Sequence, residues 1–513
     1  MKAWKSPLEP TVTLLWEDIF AKARFAQGLW AKKTVAERSS HLQKMQAYLV
    51  THGEALVKTL STSTGKPGIE ALAAEVLPCA MACQWYATKA KRYLAPKKIA
   101  SSHLLFTHKQ NTLHRIPLGV VGIISPWNYP LSIPFSETLM ALIAGNAVLV
   151  KTDPHVPEVG QMLEQIVGAG EFPPGLFQRI VAPGPYVSEH FFLHGIDKLF
   201  FTGSVAVGKQ LMRQAADTLT PVVLELGGKD PMVVLEDADL EKASNGALWG
   251  AFQNAGQTCA GVERVYVQSS VYTQFLGLLT SKTRAMRHGV NAACQVDMGA
   301  ITTEKQYREI ERQVTAALAA GAQIAAQSVA VSTATEHCYP ATVLTGVNHD
   351  MAIMQEETFG PVLCVMPFDT VEEAVQLAND SHYALTASVW TRNMGLAKKL
   401  ALQIAGGVLT INDHLYTHAM NELPWGGWKQ SGMGRSHGQL GLEEMTHAKL
   451  VSRDCTPSKR NAYGYPYDGA TYQALLRLLG LFASGSTREK VTRWGQALPF
   501  LLKKMGSTWK VGG

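Results

Sequence analysis

The chain has 513 residues, 46% hydrophobic and 17% charged, with a formal net charge of +6; single cores stop growing at roughly 250–300 residues, so two or more sub-domains are expected and a disordered chain is excluded. The charge is concentrated at one end: residues 459–513 hold nine Lys and Arg against Asp468 and Glu489, a local +7, while the rest sums to about −1, which leaves no basic body for nucleic acid. Seven cysteines without regular close spacing make no disulfide framework, and without a signal-peptide core or a run of about 18 uncharged apolar residues the expected location is cytoplasmic.

Residues from about 34 to 94 read as helices. Glu37-Arg38 opens one amphipathic run, Gly65-Lys66-Pro67-Gly68 interrupts, and Glu70-Ala71-Leu72-Ala73-Ala74-Glu75 starts another. Cys79 and Cys83 share a face of that second run; two ligands from one turn complete no zinc site, so they read as core. From Arg115 onward, short apolar runs such as Val120-Val121-Gly122-Ile123-Ile124 and Ala147-Val148-Leu149-Val150 alternate with helical segments, the pattern of a parallel sheet covered on both faces. Lys198-Leu199-Phe200-Phe201 reads as a further strand leading into Thr202-Gly203-Ser204 and a helix that starts near Ser204 and carries Gly208. Such a turn lets a phosphate approach the free N–H groups of a helix start. The spacing is not the usual G-x-G-x-x-G, and a plain strand-to-helix turn looks the same.

Val222-Val223-Leu224-Glu225-Leu226 is a strand that ends on an acid, and Gly227-Gly228 marks a hinge into a second α/β unit that runs to about residue 427. Cys259 lies near the start of that unit, in Phe252-Gln253-Asn254-Ala255-Gly256-Gln257-Thr258-Cys259-Ala260-Gly261. A thiol among small, flexible residues suits a nucleophile that must be approached closely, and Glu225 can supply the base that covalent chemistry needs. Alone, such a cysteine is as readily a buried small apolar side chain. His414 and His418 repeat a metal-ligand spacing without the intervening Glu, and no metal is expected. Beyond residue 453, Thr471 to Phe482 carries a broad apolar stripe, and Val491, Trp494, Leu498, Leu501 and Leu502 suggest a second, broken at Pro499.

Seven motifs follow one another in order: Ile124-Ser125-Pro126-Trp127-Asn128-Tyr129-Pro130, Gly145 to Lys151, Phe201-Thr202-Gly203-Ser204 with Gly208, the Glu225 and Cys259 segments, Glu356-Glu357-Thr358-Phe359-Gly360-Pro361-Val362, and Leu423 to Lys429 with Ser431-Gly432. Over about residues 20–450 the chain resembles the aldehyde dehydrogenase superfamily. The resemblance implies an α/β fold of two Rossmann-like domains with a protruding β oligomerisation arm. On that basis residues 1–96 and 116–228 form a dinucleotide-binding domain, 229–427 a catalytic domain, 97–115 and 443–453 the arm, and 454–513 an amphipathic C-terminal extension. The cleft between the two domains would hold the chemistry, and the arm would pair subunits by strand addition into a homodimer or homotetramer.

Within the resemblance, Cys259 adds to an aldehyde to give a thiohemiacetal, hydride leaves to NAD or NADP, and Glu225 deprotonates the water that cleaves the resulting thioester. Asn128 and the nucleophile's backbone N–H make the oxyanion hole. Cofactor contacts fall on Trp127, Lys151, Gly203, Ser204, Gly208, Leu226, Gly227, Glu357 and Phe359. Many NAD-preferring members place a Glu three residues after the lysine; here Pro154 stands there, so NADP is expected to be accepted, while Asp153 leaves the preference open. Retention of Glu225 favours hydrolysis to a free acid over transfer to coenzyme A.

The family's aldehyde tunnel maps to Tyr129, Ser132, Ile133, Ser136, Thr258 and Trp425. Ser132 and Ser136 leave room for a long-chain, aromatic or otherwise apolar aldehyde, or are simply helix-face serines bonded to backbone. No Arg among these positions pairs a second carboxylate. The rivals are a semialdehyde-specific or coenzyme A-acylating relative and a non-catalytic binding protein on the same fold. For the extension two readings stay open: peripheral binding to anionic membrane, or packing on the enzyme body or a second subunit.

Overall fold

The computed structural model describes residues 15–103, 106–290, 295–331, 334–335, 337–461, 464–482 and 487–506. Residues 1–14 of the expected dinucleotide-binding domain and 507–513 of the extension, Lys510 included, lie outside the described residues. Contacts divide the chain into two units: one takes in the chain up to Ala95 with His114–Lys449, the other Pro96–Leu113 with the chain from Leu450.

In the first unit, helices α1 (Trp16–Trp30), α2 (Val35–Thr51) and α3 (Gly53–Thr64) precede two short helical stretches, Gly68–Ala71 and Leu72–Val76, that run into α4 (Leu77–Leu94). Thr34 and Glu37 close a capping box at the start of α2, so the helix begins where two otherwise unpaired N–H groups find acceptors. The stretch Leu72–Val76 is π-helical, a local widening that often marks a functional site. Cys79 and Cys83 are fully buried in α4.

Strands β1 (Lys97–Ile99) and β2 (Lys109–Pro117) lead to β3 (Val120–Ile124). Then come α5 (Ser132–Ala144), β4 (Ala147–Lys151), α6 (Pro157–Gly168), β5 (Phe177–Ile180), α7 (Gly184–Leu193), β6 (Lys198–Thr202), α8 (Val205–Thr218) and β7 (Val222–Glu225). β3, β4 and β6 are buried at every residue, as a sheet covered on both faces requires. Strands β7, β6, β3, β4 and β5 lie side by side in that order, all parallel. From β3 the chain winds outward to β4 and β5, then crosses to β6 and β7. The switch point therefore falls between β3 and β6, where such sheets bind ligands beyond their C-terminal strand ends.

A second sheet follows. Its strands are β8 (Asp230–Val234), β9 (Val262–Gln268), β10 (Gln323–Gln327), β11 (Thr342–Thr345), β12 (Val362–Phe368), β13 (Thr386–Trp390) and β14 (Val408–Ile411), in the order β10-β11-β12-β9-β8-β13-β14, with only β10 antiparallel. The chain then returns to the first sheet. β15 (Gly432–Met433) pairs antiparallel with β7, and Leu442 of α9 (Gly438–Glu444) and Met445 just past its end join the first core. Residues 443 and 444 are thus helical, and the last arm strand, β16 (Thr446–Asp454), starts three residues later than the sequence suggested.

In the second unit, α10 (Gly469–Leu479) and α11 (Thr487–Gly506) pack on each other through Ala474, Leu478, Ala497 and Leu501. The expected break at Pro499 does not occur; α11 continues through it. Proline removes one helical N–H and crowds the carbonyl four residues back. That residue is Gly495, and the flanking Ala497 and Leu501 are held in the hairpin core. The two apolar stripes thus partly satisfy each other, leaving Tyr472, Leu476, Leu479, Phe482, Val491, Phe500 and Leu502 exposed. No helix among the described residues is long and apolar enough to cross a membrane.

Candidate active site

Cys259 follows a backbone reversal that the sequence did not announce. Asn254, Ala255 and Gly256 take φ values of 54°, 53° and 70° in succession, a left-handed run that costs roughly 1–2 kcal/mol for each non-glycine residue. Several anchors hold it. The buried Glu70 carboxylate accepts from the Asn254 N–H at 3.0 Å, and the Asn254 amide donates to the carbonyls of Asn128 (3.1 Å) and Gln257 (3.2 Å). The Gln257 side chain donates to Asn254 and Ala300 and accepts from Thr302 N–H. A side chain at Gly256 would overlap the Gly360 carbonyl. The flexible frame expected around the thiol is therefore a locked turn; the small residues are there because backbone passes backbone.

Asn128 is tied to this turn. Its Nδ2 donates to the Gln257 carbonyl at 3.0 Å and keeps a second N–H. Its own carbonyl receives Lys66 Nζ at 2.9 Å. Lys66 in turn pairs with Glu75 at 2.6 Å, both being fully enclosed, and lies over the Tyr129 ring at 4.7 Å. The other Glu75 oxygen accepts the N–H groups of Leu131 (2.8 Å) and Ser132 (3.2 Å). Two helical carboxylates, Glu70 and Glu75, thus fix both the nucleophile turn and the Asn128 loop.

A pocket opens on Cys259. Ile133, Ser136 and Glu137 of α5 line it, with Thr202, Glu225, His418, Trp425, Ser436 and His437. Cys259 is partly exposed there. Burial, then the carboxylates of Glu357, Asp230 and Glu225, push its thiol well up, so at rest the sulfur keeps its proton. Burial raises Glu225 to about 8 against the opposing pull of Arg435 and the Ser436 hydroxyl, which donates to its Oε1 at 3.4 Å; its Oε2 has no partner. Burial lowers His418 to about 4 and His437 further, and their rings meet edge-on at 4.6 Å. Both are neutral at ordinary pH.

Among the residues expected at the cofactor, Glu357 is near enough to act on the Cys259 thiol. Ser204 caps α8 and accepts from Val207 N–H. Gly203 N–H donates to the Glu225 carbonyl at 3.0 Å. Trp127 and Phe359 meet edge-to-face at 5.6 Å, Phe359 with φ of 50°. Gly228 N–H donates to Glu357 at 3.0 Å, and a Cβ on Gly227 would fill the space of that carboxylate. A Cβ on Gly208 would strike Leu226 at 2.7 Å. Burial and the neighbouring Glu263 raise Glu357 to about 8. Lys151 ends β4, lowered by burial, and the Asp153 carboxylate is taken up by the His155 ring and N–H at 2.7 and 2.9 Å. The cradle of glycines beside a buried acceptor fits a ribose and pyrophosphate.

Of the expected tunnel residues, Ile133, Ser136 and Trp425 line the pocket. Tyr129 and Thr258 instead bond each other at 2.7 Å, with Gln253 also on Tyr129 at 2.5 Å, and Ser132 is buried with its N–H on Glu75. These three brace the Cys259 turn. The sequence reading missed Glu137, Ser436 and His437. Glu137 left one signal: it is the sole acid in a thirteen-residue apolar helix.

The family model described as the aldehyde dehydrogenase family matches residues 15–451. A Methylomonas protein named 4,4'-diapolycopene aldehyde oxidase is 36% identical over 480 residues, 93% of this chain and 89% of its own. A Mycolicibacterium smegmatis protein named for NADP(+) succinate-semialdehyde dehydrogenase is 35% identical over 440 residues, covering 85% and 84%. An NAD+ complex of aldehyde dehydrogenase from Bacillus cereus superposes with a TM-score of 0.80 at 33% identity, over 86% of this chain and 89% of that one. The chain belongs to the aldehyde dehydrogenase family. It is an NAD(P)-dependent aldehyde oxidoreductase.

Proposed function

We propose that this enzyme oxidises an apolar aldehyde, long-chain or aromatic, to the free carboxylic acid through a thiohemiacetal and a thioester on Cys259. The observation that carries the substrate class is the pocket wall: Ile133, Trp425 and the neutral imidazole of His418 stand beside two carboxyl groups, and no Lys or Arg is among the lining residues. A semialdehyde would bring its own carboxylate against Glu137 and Glu225 with no cation to receive it. The name of the Methylomonas relative agrees with this choice and that of the mycobacterial one does not.

At rest Cys259 keeps its proton, and Glu225, raised to about 8, becomes an acceptor as it ionises. Transfer of that proton to Glu225 frees the sulfur to bond the carbonyl carbon, and the carbonyl electron pair moves to oxygen, where the spare N–H of Asn128 can meet it. When bound, the oxidised nicotinamide supplies the hydride acceptor and a positive charge near the sulfur. Glu225, once more ionised, takes a proton from water as the water oxygen bonds the thioester carbon; the C–S bond breaks and the sulfur recovers a proton. Lys151, Glu357 and the glycine cradle would hold the dinucleotide. Because Pro154 offers no carboxylate and Asp153 is engaged by His155, NADP should bind as well as NAD.

The test is a panel of apolar aldehydes and semialdehydes run with each cofactor in the absence of thiol acceptor. Acid released fastest from apolar aldehydes supports the reading; a preference for semialdehydes, or product only with coenzyme A, refutes it. The arm strands β2 and β16 support assembly into a homo-oligomer, checked by light scattering. The exposed apolar side chains of the hairpin α10–α11, with Arg477, Lys490, Arg493 and Lys503 in the same elements, support peripheral binding to anionic lipid. Vesicle co-sedimentation lost on replacing Leu479 and Phe482 by Ser would uphold that, and equal sedimentation would discard it.

A further inference from the structure

Glu137 has no part in the reaction set out above, yet it lines the same pocket as Glu225 and Cys259. It is the only acid in α5, all of whose residues are buried, and glutamate is almost never buried without a partner. Its Oε1 receives a long 3.5 Å hydrogen bond from the Thr202 hydroxyl, and its Oε2 receives none. Thr202 stands directly opposite Glu225 in the β6–β7 register, one strand spacing or about 4.8 Å away. Glu225 also has an unpartnered Oε2. The other titratable groups that line the pocket are Cys259, His418 and His437, while Arg435 acts on Glu225. Two carboxyl groups enclosed together without a cation between them do not both ionise, and a carboxyl that keeps its proton becomes a donor.

We propose that Glu137 is the proton-holding partner of Glu225: once Glu225 has ionised, on the alkaline side of neutral, the pair carries one proton, on Glu137, and one charge, on Glu225, and the Glu137 O–H positions the base for deacylation. The assignment rests on the role given to Glu225 under Proposed function. Burial and then the Glu225 charge push Glu137 well up, whereas Arg435 and Ser436 restrain Glu225, so Glu225 ionises first. During hydrolysis the water proton passes to Glu225 and then to the departing sulfur. Glu137 keeps its own proton throughout, and the pair ends as it began.

Three variants test this. Glu137→Gln keeps a neutral donor that cannot ionise, Glu137→Leu removes the donor, and Glu137→Asp restores a titrating acid. Each is followed by single-turnover acylation, by decay of the acyl-enzyme against pH, and by the infrared band of a protonated carboxyl. Acylation, in which Glu225 also takes the Cys259 proton, should hold in the Gln variant and fall together with deacylation in the Leu variant. At neutral pH, deacylation should stay within about twofold in the Gln variant and fall roughly tenfold in the Leu variant, the low end for losing one hydrogen bond to a charged group. The alkaline decline of the wild type, caused by a second charge beside Glu225, should be absent with Gln and present with Asp, and one protonated-carboxyl band should vanish with Gln. Equal slowing by Gln and Leu, or an alkaline limb or infrared band shared by wild type and Gln, overturns the pairing. A wild type that forms no acyl-enzyme refutes the Cys259 chemistry instead, and the infrared band, which needs no turnover, still decides the pairing.

Discussion

Replacing Lys66 by Met should unfold the active site's support from within. Nζ has its surroundings filled by Glu75 at 2.6 Å, the Asn128 carbonyl at 2.9 Å and the Tyr129 ring at 4.7 Å. With the lysine gone, Glu75 is left as a fully buried carboxylate whose only donors are the N–H groups of Leu131 and Ser132. Breaking such a pair by removing one partner costs about 3–5 kcal/mol, because the surviving charge is uncompensated. Glu75→Gln added to Lys66→Met removes that charge yet retains an amide oxygen for both N–H groups, so the double variant should recover most of the loss. Urea midpoints of the wild type, the single and the double variant measure this, and the single variant should also lose turnover as Asn128 loosens. A Lys66→Met protein as stable as the wild type, or a double variant weaker than the single one, would refute the argument.

Glu225→Gln, able to take neither the Cys259 proton nor the water proton, should slow both acylation and deacylation by about 10²–10⁴-fold. In the wild type the base is inert while protonated, so with Glu225 at about 8 deacylation should fall about tenfold for each pH unit below that value; a rate flat across neutral pH contradicts it. Asn128→Ala should lower the acylation rate by roughly 10²–10³ with little change in dinucleotide Kd, read by single-turnover kinetics and titration. Gly227→Ala, whose Cβ displaces the Glu357 carboxylate, should weaken NAD and NADP binding roughly tenfold, and unchanged titration curves would remove Glu357 from the cofactor site.

Much of this architecture can be read from residues alone, because apolar runs such as Val120–Ile124, and Ala147–Lys151 up to its terminal lysine, fit a sheet covered on both faces, and both strands are buried throughout. The positions of Cys259, Glu225 and Asn128 also follow from ordered motifs. What stays hidden depends on partners distant in the chain. Asn254 and Ala255 have no local reason to turn left-handed; Glu70 and Gly360 impose it. That Tyr129 and Thr258 are each other's hydrogen-bond partner, 129 positions apart, is invisible in either motif. Pro499 reads as a stop, and only the opposing Ala474 and Leu478 carry the helix past it.

The left-handed turn before Cys259 has a consequence for how the enzyme comes into being. Its anchors reach from Glu70, 184 positions before Asn254, to Gly360, far beyond the cysteine. A growing chain on the ribosome that has already exposed its thiol still lacks the segment that packs the turn from behind. Competence to trap aldehydes therefore arrives late in synthesis, after four of the seven strands of the second sheet have emerged, and truncated products carry the sulfur without the means to arm it.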